Sequence, residues 1–343
     1  MSLETRLKIG WIGLGRHATA MLLPKLAGLG CEVAAIADPD TGALDRGRLL
    51  APAATPYAEA RDLLSHPGLD AIGIAVGPAV HAALAPLALA RGLPVFIEKP
   101  PGTTAAEAEA ILAAAERAKR PAVVGFMKRH STANRIAWNV TRRPEFGPLA
   151  GFLGHYMTAP TYFQGNPDYA GFYLHHCVHY LDLVPWLMGP LTGLRVRKHE
   201  ASPGRLLLHV DFDCRSGALA TLAMGTLQSR GAPVEWWLAM GDHRRVEVRN
   251  VTEVRYVRDP AFKVDDPDAT LSEAADTMVW EPNPTVAADE DHKGYRALLQ
   301  GFLARVRGEA ADVPEIADGV AAMRRLDAMR RSIDSGEWQA LDA

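Results

Sequence analysis

The chain has 343 residues, 48% of them hydrophobic and 22% charged, with a formal net charge of −3. Single cores stop growing near about 250–300 residues, so two domains are expected, and this apolar fraction excludes an intrinsically disordered chain. The balanced charge supplies neither a basic stripe for nucleic acid nor a polybasic membrane surface, and neither partner is expected.

The opening Met1–Gly15 has no basic region ahead of a long apolar run and no cleavage pattern, so no signal peptide is predicted. Lys8–Ile12 reads as a first strand, and Arg16–Leu29 as a helix with Met21, Leu22, Leu26 and Leu29 at helical spacing. Strands are predicted at Glu32–Ala37 and Thr55–Tyr57, with helices at Thr41–Leu50 and Ala58–Ser65. Ala71–Ala90 is 20 residues without a formal charge, long enough to span a bilayer. Its Gly77-Pro78 pair, His81 and Pro86 instead suit a buried strand, Ala71–Val76, followed by a helix, Ala79–Ala90, so no transmembrane segment is expected. Val95–Ile97 and Ala122–Gly125 complete six strands, separated by a long helix, Thr104–Lys119, that Thr104 and Glu107 begin as a capping pair. Strands alternating with helices predict a doubly wound parallel sheet over residues 1–125.

The texture then changes. A helix at Thr132–Arg142, a strand at Leu149–Thr158, a Gly/Pro/Asn-rich loop at Ala159–Gly171 and a helix at Phe172–Met188 are expected. From Leu191 to Arg258 the period is two: Leu206, Leu208, Val210 and Phe212 alternate with Leu207, His209, Asp211 and Asp213, as in antiparallel strands with one polar face. Asp259–Asp291, acidic and Pro-containing, reads as irregular, and helices at Lys293–Arg307 and Ile316–Ser335 follow. Residues 126–343 are therefore assigned to a second α/β domain with a large, mainly antiparallel open sheet, its terminal helices packing back on the first domain. The three cysteines, Cys31, Cys177 and Cys214, are too few and too scattered for a disulfide framework or a Cys-based zinc site, which points to a reducing, cytoplasmic setting.

Three groups of residues carry chemistry. Gly13-Leu14-Gly15-Arg16-His17-Ala18 fits G-x-G-x-x-A between a strand and a helix. The first Gly permits the tight turn, the second lets backbone approach a pyrophosphate, and the helix N-terminus offers N–H groups to the anion. Asp38, 20 residues past Ala18, would accept hydrogen bonds from a ribose 2′-hydroxyl and repel a 2′-phosphate, which favours NAD over NADP; the competing reading is a helix cap ahead of Pro39. NADP stays open because Arg16 can contact a phosphate. Glu98-Lys99-Pro100 ends the fifth strand, where ligands meet an open α/β sheet, and Lys99 there can bind a substrate hydroxyl with Glu98 supporting it. The Lys99–Pro100 bond is a candidate cis peptide. Finally, His175, His179 and Asp182 fall at i, i+4 and i+7 on one helix. That face suits a general base, a zinc half-site, or hydrogen-bonded structure.

With these motifs in place, the chain resembles the Gfo/Idh/MocA oxidoreductases. The resemblance rests on GLGRHA, Asp38, an H-x-x-x-A helix entry at His81, the triplet Glu98-Lys99-Pro100, GFMKRH at Gly125–His130, HYLDLVPWLMG at His179–Gly189, and the stretch from Gly294-Tyr295 to Phe302. It implies a Rossmann domain followed by an α/β domain whose open sheet forms homodimers or homotetramers. Lys99 looks like the family's active-site lysine and His179 like its catalytic histidine, with no metal. Cofactor contacts are expected from Gly13, Leu14, Gly15, Arg16, His17, Asp38, Gly77, His81, Glu98 and Lys99, and substrate contacts from Arg129, His155, His175 and His179, although His155 equally suits a solvent-facing strand position. The family often has an Asp four residues before its histidine, whereas this chain has His175, which bears on substrate identity more than on hydride chemistry. The function implied is NAD-dependent hydride transfer at a hydroxyl-bearing carbon of a sugar, cyclitol or related polyol. A catalytically silent dinucleotide sensor on the same scaffold is the alternative.

Overall fold

The computed structural model describes residues 6–160, 169–229, 231–283, 285 and 290–341. Two compact units divide the chain. One comprises Met1–Met127 with Gly294–Arg324, the other Lys128–Lys293 with Arg325–Ala343.

The first unit is built on β1 (Lys8–Ile12), β2 (Glu32–Ala37), β3 (Thr55–Tyr57), β4 (Ala71–Ile74), β5 (Val95–Ile97) and β6 (Ala122–Val124). All pair in parallel, in the order β3-β2-β1-β4-β5-β6. The strand order reverses between β1 and β4, so the loops leaving their carboxyl ends open the crevice where doubly wound sheets bind ligands. The β1 residues Ile9 and Trp11 are fully buried, as expected for a strand covered on both faces. Gly73 on β4 makes room for the Trp11 indole, because a Cβ there would lie 2.3 Å from the ring. The connecting helices are α1 (Leu23–Ala27), α2 (Thr41–Leu50), α3 (Ala60–Leu63), α4 (Pro78–Ala90) and α5 (Ala105–Ala118). Thr104 caps α5 as its sequence predicts, accepting from the Glu107 N–H at 3.3 Å.

The helix expected over Arg16–Leu29 is not uniformly α. It opens as a π-helical turn, Ala18–Leu22, before α1. Pro24 stands in the first turn of α1 and has no N–H to return to the preceding turn, so the regular hydrogen-bond ladder cannot run through this point. The helix α9 (Tyr295–Val306) belongs to this unit because Tyr295, Leu298, Leu299, Phe302 and Leu303 share one core with Trp11, Leu26 and Phe96. The first residues of α10 (Ile316–Ser335) belong to it as well, and the backbone of Glu315 bridges β6 at Val123. The division thus falls two residues later than the sequence places it, with a C-terminal segment counted in the first unit.

The second unit holds α6 (Thr132–Thr141), β7 (Gly151–Met157), the short α7 (Tyr169–Phe172), a π-helical turn at Tyr173–Cys177 and α8 (Val178–Met188). The strands β8 (Leu191–Ser202), β9 (Arg205–Cys214), β10 (Leu219–Gly225), β11 (Val234–Met240), β12 (Arg245–Arg249) and β13 (Glu253–Val257) follow. With β14 (Met278–Trp280) and β15 (Gln339–Ala340) they form one sheet, β14-β13-β12-β11-β7-β10-β9-β8-β15, antiparallel except where β7 and β10 run parallel. The alternation in β9 is as the sequence predicts: Leu206, Leu208, Val210 and Phe212 are buried and their neighbours are not, apart from Cys214 at the strand's end. Two strands escape the sequence reading. β14 lies in the stretch expected to be irregular, and β15 follows the last helix. Both are edge strands of three and two residues, too short to show a period. Most of the loop expected at Ala159–Gly171 lies outside the described residues, and its end, from Tyr169, is helical. Among the described residues no helix is long and apolar enough to cross a membrane.

Candidate active site

In the first unit, β1 ends at Gly13 with φ +91°, a left-handed conformation natural to glycine. A Cβ at Gly13 would also sit 2.3 Å from the Ala75 carbonyl oxygen, so the turn requires glycine twice over. At Gly15 the missing Cβ would face open space. The carboxylate of Asp38 joins this loop to β2: its Oδ2 accepts from the Leu14 N–H at 2.8 Å and its Oδ1 from the Asp40 N–H at 2.9 Å. The helix-capping role weighed for Asp38 falls to Asp40, which accepts from the Gly42 N–H at 2.8 Å at the start of α2. A cavity of about 260 Å³ opens here, lined among others by Gly13, Asp38, Pro39, Arg61, Val76 and Val80. A hydrogen-bonded acid, a glycine turn and an apolar wall suit a dinucleotide's adenosine half. Arg16 and His17 are exposed at the loop's edge, and Gly77 stands at the N-terminus of α4.

Glu98 and Lys99 leave the carboxyl end of β5. Glu98 is buried, and its Oε2 accepts from the Lys99 backbone N–H at 3.0 Å while its Oε1 lies 3.3 Å from His17 Nε2. His17 in turn meets the Tyr295 ring edge-on at 5.4 Å. Burial pushes the Glu98 carboxyl up, but the His17 hydrogen bond and the charge of Lys99 outweigh it and hold the group below the ordinary carboxylate range. Gly125 is part of this seat, since a Cβ there would lie 2.9 Å from the Glu98 carboxylate. The GFMKRH string carries that signal, although the sequence alone does not say what the glycine serves. The Lys99–Pro100 peptide is cis. His81 is fully buried, and both its ring nitrogens engage backbone atoms, those of Val76 and Pro100.

In the second unit the π-helical turn carries His175 and His176, and His179 follows in the first turn of α8, buried. The i, i+4, i+7 reasoning assumed one continuous α-helix. Hydrogen bonding from i to i+5 through Tyr173–Cys177 changes the turn on which His175 sits. His176, which the zinc reading includes with His175, His179 and Asp182, points to the sheet, its Nδ1 lying 2.8 Å from the Tyr156 hydroxyl. Asp182 is fully buried and takes both ends of the Arg129 guanidinium, at 2.9 Å from Nε and 2.5 Å from Nη2. Two N–H groups of Arg129, a residue read as facing substrate, are therefore committed to Asp182. That pairing also occupies the carboxylate weighed as a zinc ligand, and among the described residues no group of three or more His, Cys, Asp or Glu is arranged to hold a metal ion. His155 takes the solvent-facing strand position, the second of its two readings. Its neighbour Tyr156 faces α8, meeting the Tyr180 ring at 5.2 Å, so strand alternation sends His155 to the opposite, open face. There it stacks on Trp236 at 5.2 Å beside a cavity of about 380 Å³, away from His179. Burial pushes the His155 imidazole down, favouring its neutral form. Burial also raises the thiol pKa of all three cysteines, Cys31 to about 11, so none supplies a thiolate near neutrality.

Residues 7–126 match the family described as an oxidoreductase family with an NAD-binding Rossmann fold, Gfo/Idh/MocA. An inositol 2-dehydrogenase of Leifsonia xyli subsp. xyli is 30% identical over 208 residues, 57% of this chain and 59% of that protein. The rhizopine catabolism protein MocA of Rhizobium meliloti is 29% identical over 193 residues, 54% of this chain and 58% of that protein. The chain thus spans less than two thirds of the length of these curated relatives. Among solved structures, a dehydrogenase from Chromobacterium violaceum has a TM-score of 0.86 at 21% identity, covering 97% of this chain and 96% of that one. A levoglucosan dehydrogenase in complex with NADH and L-sorbose has a TM-score of 0.83 at 17% identity, covering 98% and 99%. These likenesses establish the fold over nearly the whole chain.

Proposed function

We propose that this chain is an NAD-dependent dehydrogenase acting on a hydroxyl-bearing carbon of a cyclitol, sugar or related polyol. The observation that carries the reading is the first unit's arrangement: a glycine turn tied to Asp38 beside a cavity, with Glu98 and Lys99 at the carboxyl end of the same sheet. Gly13, Leu14, Gly15 and Asp38 would hold the dinucleotide. Asp38 keeps lone pairs for ribose hydroxyls, and its charge disfavours a 2′-phosphate, so NAD is preferred to NADP. NAD held by these residues would supply the hydride acceptor for oxidation and the donor for reduction.

The chain's own groups do the rest. Lys99 donates a hydrogen bond to the substrate oxygen and stabilises the negative charge that develops on it. Glu98 fixes the lysine's backbone through the Lys99 N–H. His179 takes the hydroxyl proton on a ring nitrogen during oxidation and returns it during reduction. The named relatives, an inositol 2-dehydrogenase and a levoglucosan dehydrogenase, support a polyhydroxylated substrate. Self-association through the open sheet face, as a homodimer or homotetramer, completes the reading.

The test is a turnover screen of inositols, levoglucosan and common aldoses and ketoses with NAD and NADP, followed by variants. Lys99→Ala should lower turnover by roughly 100-fold or more while NADH still binds, and His179→Asn should flatten the rise of rate with pH. Full activity in Lys99→Ala would remove the lysine from the mechanism. An unchanged pH profile in His179→Asn would remove the base.

A further inference from the structure

His81 occupies an unusual position for a polar residue. It is wholly buried, one turn into α4, and no atom of it reaches solvent. Its Nε2 accepts from the Val76 backbone N–H at 3.1 Å, and its Nδ1 lies 2.9 Å from the Pro100 carbonyl oxygen. A carbonyl can only accept, so Nδ1 carries the proton; an N–H can only donate, so Nε2 carries none. The two contacts together fix one neutral tautomer. Each also falls on a segment that matters. Val76 lines the cavity shared with Gly13 and Asp38, and Pro100 directly follows Lys99.

We propose that His81 is a positioning residue that ties the loop walling the dinucleotide cavity to the turn bearing Lys99, one end of its ring serving each. The proposal rests on the NAD-dependent reading above and replaces the cofactor contact expected of His81 with an indirect role, since both ring nitrogens are engaged by backbone. The physical ground is the cost of an unmade bond: a buried N–H or carbonyl left without a partner loses about 1–3 kcal/mol. That is enough to let either segment move away from its working position.

The two ends of the ring can be separated by substitution. The amide of an asparagine superposes on the Nδ1 side of a histidine, and that of a glutamine on the Nε2 side. His81→Asn therefore keeps a donor for Pro100 and loses the acceptor for Val76, while His81→Gln does the reverse. NADH binding is measured by fluorescence titration, and amide hydrogen exchange is followed in the peptides containing Val76 and Lys99. His81→Asn should weaken NADH by about tenfold, the equivalent of one such bond, and expose the Val76 amide to exchange. His81→Gln should bind NADH within about twofold of wild type, keep Val76 protected, and carry its loss in kcat on whichever polyol the screen identifies.

Equal weakening of NADH binding by both variants would mark His81 as a merely structural residue and overturn the proposal, as would wild-type affinity and exchange in both. If either variant is too unstable to purify, the direction of the other still decides. Wild-type protein that fails to bind NADH would overturn the underlying reading and the proposal with it. Wild-type protein that binds NADH, with variants that show no split, overturns the proposal alone.

Discussion

Glu98 is a carboxylate under two opposed influences. Its burial raises the cost of ionisation, and His17 and Lys99 lower it by more, so the folded value lies below the ordinary 4.5. A group whose pKa is depressed by folding contributes stability that is present above the unfolded value and lost as pH falls through the folded one. Replacing Glu98 with Gln removes that contribution and leaves the His17 ring nitrogen and the Lys99 N–H facing a neutral amide. The stability gap between wild type and Glu98→Gln, measured by chemical unfolding across pH, should therefore be widest near neutrality and close below about pH 4.5. A gap that stays constant into acid would mean that Glu98 is not held ionised by these partners. Near this residue the sequence was informative about place and silent about mechanism. Strand β5 and the triplet Glu98-Lys99-Pro100 are legible from an apolar run meeting polar residues. The seat that Gly125 provides and the clamp made by His81 are contacts between segments far apart in the chain, which no local pattern encodes.

Helix α8 shows the same limit at the scale of an element. Its apolar content identifies it as a helix, but not the π-helical turn before it, since i→i+5 bonding carries no compositional mark. Which histidine faces which neighbour therefore had to come from coordinates. His176 engages the sheet through Tyr156, and Asp182 pairs with Arg129. That pair anchors α8 to the turn at Met127–His130, with Asp182 wholly buried and the Arg129 side chain 13% exposed. Removing one member of a buried ion pair strands the other charge, at a cost of about 3–5 kcal/mol, whereas replacing both by apolar groups is often close to neutral. Arg129→Met should thus destabilise the protein by about that amount in urea unfolding, and the double variant Arg129→Met with Asp182→Leu should recover much of it. A double variant no more stable than the single would show that the pair acts through something other than charge. Strand β7 is a parallel lesson. Its residues read as a strand, but which face His155 takes depends on which side α8 covers, and that is a tertiary fact.

At the scale of the molecule, the second unit's sheet is covered on one side and open on the other. On the covered side, Phe152, Leu222 and Trp237 are all but fully buried. On the open side, β7 is the central strand of nine, yet its Leu153 is 43% exposed, and Leu219 on the adjacent β10 is 63% exposed. The register places Leu153 directly between Thr221 of β10 and Leu238 of β11, so these apolar groups lie on one continuous surface. A sheet centre is where a monomer ordinarily buries its aliphatic side chains, and a contiguous exposed apolar patch marks an interaction surface. Under the proposed self-association, a second copy of the same face would supply a self-complementary cover by two-fold symmetry. Charge placed at the centre of that patch should break the assembly without touching the fold, because Leu153 packs against nothing in the covered core. Light scattering on Leu153→Glu should report a smaller particle than wild type, with NADH affinity and the unfolding midpoint of the dissociated form retained. An unchanged mass, in a variant that is folded and binds NADH, would take this face out of the assembly.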